Sequence, residues 1–152
     1  RSHVGGHILR ALCKVDEAAP LLEESPCGFC GRSGRPECAV SIKILSRSMT
    51  ISTNCVYQHP FRYGCANAGS DARPSCNVPV ACGLCRKPAK KTDTQPAIWW
   101  YNMIEHLKDV HNEYAYPGNI DGLPLPLDVW ISTEITAEEQ RKLGIPVEKM
   151  IP

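Results

Sequence analysis

A small α+β domain stabilised by zinc, in which a β-hairpin with a zinc knuckle is followed by a C2H2-like finger and short helices, is the fold class the sequence predicts. Three observations predict it. Nine cysteines occur in 152 residues, and two pairs of them, Cys27/Cys30 and Cys82/Cys85, have Cys-x2-Cys spacing. Two histidines, His106 and His111, follow the second pair where they complete a set of four donors. Between the pairs, residues 38–55 alternate with period two around a short turn.

Composition narrows the function classes. A chain of 152 residues suits one ordinary domain or two small zinc modules, and is short for a two-lobed enzyme. With 43% apolar residues but only 7% aromatics, 11 glycines and 13 prolines, much of the chain is expected to be turn and loop. No stretch approaches the roughly 20 apolar residues needed to cross a bilayer. The start, RSHVGGHILRAL, has neither the apolar core nor the cleavage site of a signal peptide, so a soluble protein without a membrane partner is expected. A formal charge of +1 leaves attraction to nucleic acid to local patches. The odd cysteine count, the two pairs and the flanking histidines favour metal over a disulfide framework. Thiols kept reduced for metal imply the nucleus or the cytoplasm.

Residues 1–20 form the first segment. His3 and His7 are one helical turn apart, as in the second half of a zinc finger, yet no cysteine precedes them. They read either as exposed histidines on a frayed helix or as a half finger. Gly5 and Gly6 would weaken such a helix by about 1 kcal/mol each relative to alanine.

Residues 21–80 form a hairpin zinc module. Pairing Ile44 with Met49 across residues 45–48 sets Ile42 opposite Ile51, Val40 opposite Thr53 and Cys38 opposite Cys55. The other face, with Ser41, Lys43, Ser52 and Asn54, should be wet. Cys27-Gly-Phe-Cys30-Gly has the form of a zinc knuckle, with glycines where the chain must turn so that N–H groups face the sulfurs. Its other ligands come from Cys38, Cys55, His59, Cys65 or Cys76. Cys38 continues an apolar stripe and Cys65 lies in an apolar loop, so both read as core. Cys55 and Cys76 are the first choice, and a Cys27, Cys30, Cys38, Cys55 site is the competitor.

Residues 81–114 form the finger, Cys-x2-Cys-x20-His-x4-His, with Cys82, Cys85, His106 and His111 as ligands and Met103 beneath the metal. Residues 86–95 are an insertion relative to the usual spacing of about 12 residues between second Cys and first His. The inserted loop carries Arg86, Lys87, Lys90 and Lys91, candidate contacts to nucleic-acid phosphates. Thr94 reads as a helix N-cap with Pro96 in the first turn. Base contacts would fall at Trp99, Asn102 and Glu105, a poor set for reading a major groove. Trp99 and Trp100 point about 100° apart on a helix, so one should anchor the finger and the other pack on a neighbouring element.

Residues 115–152 read as a Pro-rich linker and a short C-terminal helix. Thr136 and Glu139 form a capping box, and Gly144 and Pro146 end the helix. Ile135, Leu143 and Ile145 need a surface to lie on.

CGFCG, a Cys-flanked hairpin, SCNVPVACGLC and the Ile-Trp-Trp-Tyr-Asn-Met run leading to EHLKDVH together resemble a group of Cys/His-rich zinc-binding proteins of basidiomycete fungi, over about residues 1–150. The HL-x2-VH ending also resembles the BED-type fingers of transposases, over a much shorter stretch. The resemblance implies a nuclear protein associated with mobile elements or chromatin. It assigns zinc roles to Cys27, Cys30, Cys55, Cys76, Cys82, Cys85, His106 and His111, and it supplies no catalytic residues.

The function expected from the sequence is a zinc-dependent nucleic-acid-binding module, with DNA the first partner considered, two structural Zn²⁺ ions and no enzymatic activity. The alternative is a zinc-stabilised protein-interaction module that does not bind nucleic acid. Four protein donors per site would leave no open coordination position for substrate.

Overall fold

The computed structural model describes residues 1–16, 24–85, 87, 90 and 93–152. Helix α1 spans Ser2–Leu12 and buries Ile8 and Leu9. The sequence expectation of a frayed helix is corrected. Gly5 is buried where the helix crosses residues 75–77, and a Cβ there would stand 2.2 Å from Ser75 Oγ. Close approach, not looseness, is what this glycine provides.

Strands β1 (Val40–Ile44) and β2 (Met49–Thr53) form the hairpin in the register that the apolar alternation requires, with Val40 opposite Thr53, Ile42 opposite Ile51 and Ile44 opposite Met49. Only Ile42 of these is fully buried, and Ile44 and Leu45 are exposed at the tip. Helix α2 (Tyr63–Ala68) follows, ending at Gly69. Strand β3 is Pro79–Val80.

The finger segment departs from expectation. No helix starts at Thr94. Gln95–Pro96 forms β4, which pairs antiparallel with β1 on the edge away from β2, and Ile98–Trp99 forms β5, which pairs with β3. Ala97 N–H donates to Val40 O at 3.0 Å, so β1 and β3 take up this backbone before a helix can. Pro96 is tolerated because β4 is an edge strand, and Ile98 and Trp99 favour the pleated surface. A 3-10 turn, Trp100–Asn102, then leads into α3 (Met103–Val110).

Helices α4 (Leu127–Ile131) and α5 (Ala137–Lys142) complete the chain. Thr136 caps α5 by accepting from Glu139 N–H at 3.2 Å. Glu139 does not return the bond. Its carboxylate accepts from Tyr101 Oη and from Cys76 N–H at 2.7 Å. After α5 the chain turns at Gly144 (φ +74°), and Ile145 N–H closes back on Gln140 O at 3.0 Å, a 6→1 bond of the kind that ends helices.

Three apolar clusters hold the molecule. Val78, Val80, Cys82, Met103, Leu107 and Val129 form one. A second joins Ile8, Leu9 and Cys13 of the N-terminal region to Tyr101, Ile135 and Ile145, so α1 is the surface that the C-terminal apolar residues cover. The third is Cys27, Phe29, Cys55 and Trp99. Trp99 belongs to the third, Tyr101 to the second and Met103 to the first, while Trp100 packs against the edges of the first two. Five consecutive residues thus tie the clusters together.

Candidate metal centres

Two groups of donors converge. In the first, Cys27, Cys30, Cys38 and Cys55 bring their Sγ atoms within 4.8 Å of one another; in the second, Cys82, Cys85, His106 and His111 do the same with their donor atoms. Four donors at Zn–S and Zn–N bond lengths around a tetrahedral ion lie about 3.8 Å apart for two sulfurs and about 3.5 Å for a sulfur and a nitrogen. The structure gives 3.9 Å for Cys27–Cys55 and 3.6 Å for Cys30–Cys38. Cys85 Sγ lies 3.3 Å from His106 Nε2 and 3.4 Å from His111 Nε2. These separations are far from a disulfide and suit tetrahedral zinc. The two clusters, one of four cysteines and one of two cysteines and two histidines, are positioned to hold two zinc ions.

Local sequence explains each arrangement. In the first knuckle Gly31 N–H donates to Cys27 O at 2.7 Å and Cys27 N–H to Arg32 O at 2.8 Å, while the N–H groups of Phe29 and Cys30 face Cys27 Sγ. The 3-10 turn Pro36–Cys38 delivers Cys38 just before β1, where its Sγ converges with that of Cys55, which lies just after β2. In the second, α3 carries His106, and the helix ends as His111 N–H bonds Leu107 O at 2.9 Å. Met103 and Leu107 are fully buried beneath the site.

Protonation fits the same reading. Burial pushes the Cys85 thiol up to about 11, with Cys82 adding to the rise. Burial would raise Cys30 too, but hydrogen bonds from the Arg32 side chain and backbone N–H and from the Cys38 and Cys27 thiols outweigh it and bring the group to about 7. Cys38 goes strongly upward, through burial and the crowding of Cys30, Cys27 and Cys55. Crowded thiols cannot all ionise against one another, and a dication at their centre removes that conflict. Burial, then His111, lowers His106, which favours the neutral ring that ligates metal.

Cys76, a first-choice ligand by sequence, lies outside both groups. Its Sγ turns to Pro74 O at 3.6 Å, and burial followed by Glu139 pushes its thiol up to about 11. Cys38 takes the place assigned to it. The hairpin register sets Cys38 beside Cys55 and so points to a shared metal site, whereas the apolar stripe that Cys38 continues points to the core. Cys65, also read as core, is exposed.

Of the proposed phosphate contacts, Lys87 and Lys90 are exposed beside the second knuckle, and Arg86 and Lys91 lie outside the described residues. The positions that would read bases are engaged internally. Trp99 is buried, Asn102 Nδ2 donates to Pro26 O at 2.9 Å, and Glu105 accepts from Ser25 N–H at 3.0 Å. These last two bonds fasten α3 to the entry of the first knuckle. Trp100 is half-buried, with Nε1 donating to Glu134 O at 2.8 Å, so it packs on a neighbouring element while Trp99 serves the first centre. Among the described residues, no helix is long and apolar enough to cross a membrane. The chain is a small α+β domain that, among the described residues, carries two Cys/His clusters positioned to hold zinc, and no family model, curated protein or solved structure matches it.

Proposed function

We propose that this domain binds nucleic acid through the phosphate backbone and without reading base sequence. The observation that carries the reading is the pair Lys87 and Lys90, exposed in the loop after Cys85, next to a segment whose base-reading positions Trp99, Asn102 and Glu105 are occupied by internal contacts. Lysines beside a metal site engage phosphates as point charges. Both centres supply four protein donors, which supports structural rather than catalytic zinc. Cysteines kept free for metal support a nuclear or cytoplasmic location. Binding of the zinc-loaded domain to labelled DNA at low and physiological salt tests the reading. A steep salt slope, reduced in Lys87→Ala/Lys90→Ala, is expected; no binding at low salt sinks it.

A second reading is favoured by one observation. Leu127, Trp130 and Ile131 of α4 are all exposed and share one helical face by their i, i+3, i+4 spacing. An exposed Trp on such a face is a frequent hot spot for protein partners. Capture of a partner that is lost in Trp130→Ala, together with absent DNA binding, would favour it.

A further inference from the structure

Away from both metal centres, α1, residues 59–62, α2 and the loop after it enclose an open groove of about 1300 Å³. It is larger than the about 300–1,000 Å³ of a small-ligand pocket. Arg1, His3, His7, His59, Arg62 and Arg73 line it, Arg10 and Lys142 stand at its end, and among the described residues no carboxylate lines it.

The cations at the end are already neutralised. Arg10 pairs with Asp16 at 2.8 Å, and Lys142 pairs with Asp71 at 2.9 Å and Glu138 at 2.8 Å. Among the described residues, Arg1, Arg62 and Arg73 make no ion pair with a carboxylate. Arg1 is fixed in the floor, where its guanidinium donates to Ser75 O at 3.0 Å and Asn77 O at 2.8 Å and lies 5.3 Å from the Phe61 ring centre. Arg62 and Arg73 are exposed. Burial lowers the basicity of Arg1, with Tyr101, Cys76 and Glu139 opposing and Arg73 adding to the fall, and burial, then the N-terminal amine, Arg1 and Arg73, lower His59. Arg1, Arg73 and His59 therefore stand close enough to repel one another, although the whole chain is almost neutral.

Beside these cations stands an aromatic surface. The exposed His59 ring meets Phe29 edge to face at 5.3 Å and Phe61 at 6.5 Å, so it is braced from behind. Cationic grooves with braced rings are how proteins hold single strands, whose phosphates follow the charge and whose bases stack. A concave groove of this size admits a strand and touches a duplex only along its rim.

We propose that this groove binds a single strand of nucleic acid, with successive phosphates on Arg73, Arg62 and Arg1 and a base against His59. The proposal rests on the nucleic-acid reading above and gives it a second, separate surface.

The test is fluorescence anisotropy of a short labelled oligothymidylate with the zinc-loaded full chain over a series of salt concentrations. Arg62→Ala/Arg73→Ala is compared with Lys87→Ala/Lys90→Ala, and zinc content and circular dichroism establish that each variant is folded. The arginine pair should lose about tenfold in affinity and about 1.4 in salt slope, the amount two single-strand phosphates contribute. His59→Ala should weaken binding while leaving the slope near that of wild type. Unchanged affinity in the arginine variant overturns the groove, and loss confined to the lysine variant leaves the nucleic-acid reading standing. No binding by wild type at low salt overturns both. A duplex of the same length that binds as tightly, or inorganic phosphate that binds as tightly as the oligonucleotide, also overturns the single-strand assignment.

Discussion

The indole of Trp99 lies on Gly28 so closely that a Cβ at position 28 would stand 2.3 Å from Trp99 Cε3 and 2.5 Å from Cδ2. Gly28 belongs to the first knuckle and Trp99 to β5, which runs by way of a 3-10 turn into the helix that carries His106. Gly28→Ala must displace the ring or the knuckle, a form of overpacking that costs about 1–3 kcal/mol. A lower melting temperature and loss of zinc from the four-cysteine centre are expected. Gly64→Ala, in α2 with open space around it, is the control and should be neutral or slightly stabilising.

The two candidate ligand sets for the first centre separate by metal content. Cys38→Ser should reduce bound zinc from two ions to one, since it removes a convergent donor. Cys76→Ser should retain both. Elemental analysis of protein purified without added metal decides it, and the reverse pattern would restore Cys76 as a ligand.

Tyr101 donates to Glu139 and lies 3.0 Å from Ser75 Oγ, a buried network joining the start of the finger helix to α5. Burial, and then Glu139, raises the Tyr101 phenol above its ordinary value of 10. A group raised in the folded state stabilises fully below its unfolded value and loses that contribution as pH climbs past it. Stability should therefore fall above about pH 10 through Tyr101. Tyr101→Phe should cost about 1–3 kcal/mol at neutral pH, because a buried carboxylate loses a donor, and should flatten the alkaline fall. Melting curves across the pH range measure both effects.

Chelation should unfold the chain, because structural zinc contributes on the order of 10 kcal/mol and a domain of this size holds only about 5–15 kcal/mol in total. Cys82→Ser and His106→Ala should each release one ion and expose Met103 and Leu107. Far-UV circular dichroism before and after chelator, with zinc content measured alongside, follows the transition; an unchanged spectrum would mean that the fold stands without metal.

Much of this was legible where spacing alone determines geometry. The Cys82, Cys85, His106 and His111 set follows from two knuckle cysteines and two histidines at helical distance. The hairpin register follows from period two, since a slip of one residue would turn Ile42 outward. Thr94 misled because local capping rules do not see that β1 and β3 compete for residues 95–99. Cys38 misled because one residue can continue an apolar stripe and still aim its sulfur at a metal. Gly5 misled because a glycine chosen for close helix approach has the same letter as one that loosens a helix. The groove cations were invisible for a related reason: His59, Arg62 and Arg73 meet α1 only after the chain has folded back.

Trp99 shares its cluster with Cys27 and Cys55, and its buried indole N–H has no hydrogen-bond partner among the described residues, whereas Trp100 is half-buried and Trp130 is exposed. One of three indoles is therefore buried against the sulfurs, and its emission should change in wavelength and intensity when those sulfurs part. The domain carries an unlabelled optical gauge of whether its first centre is closed.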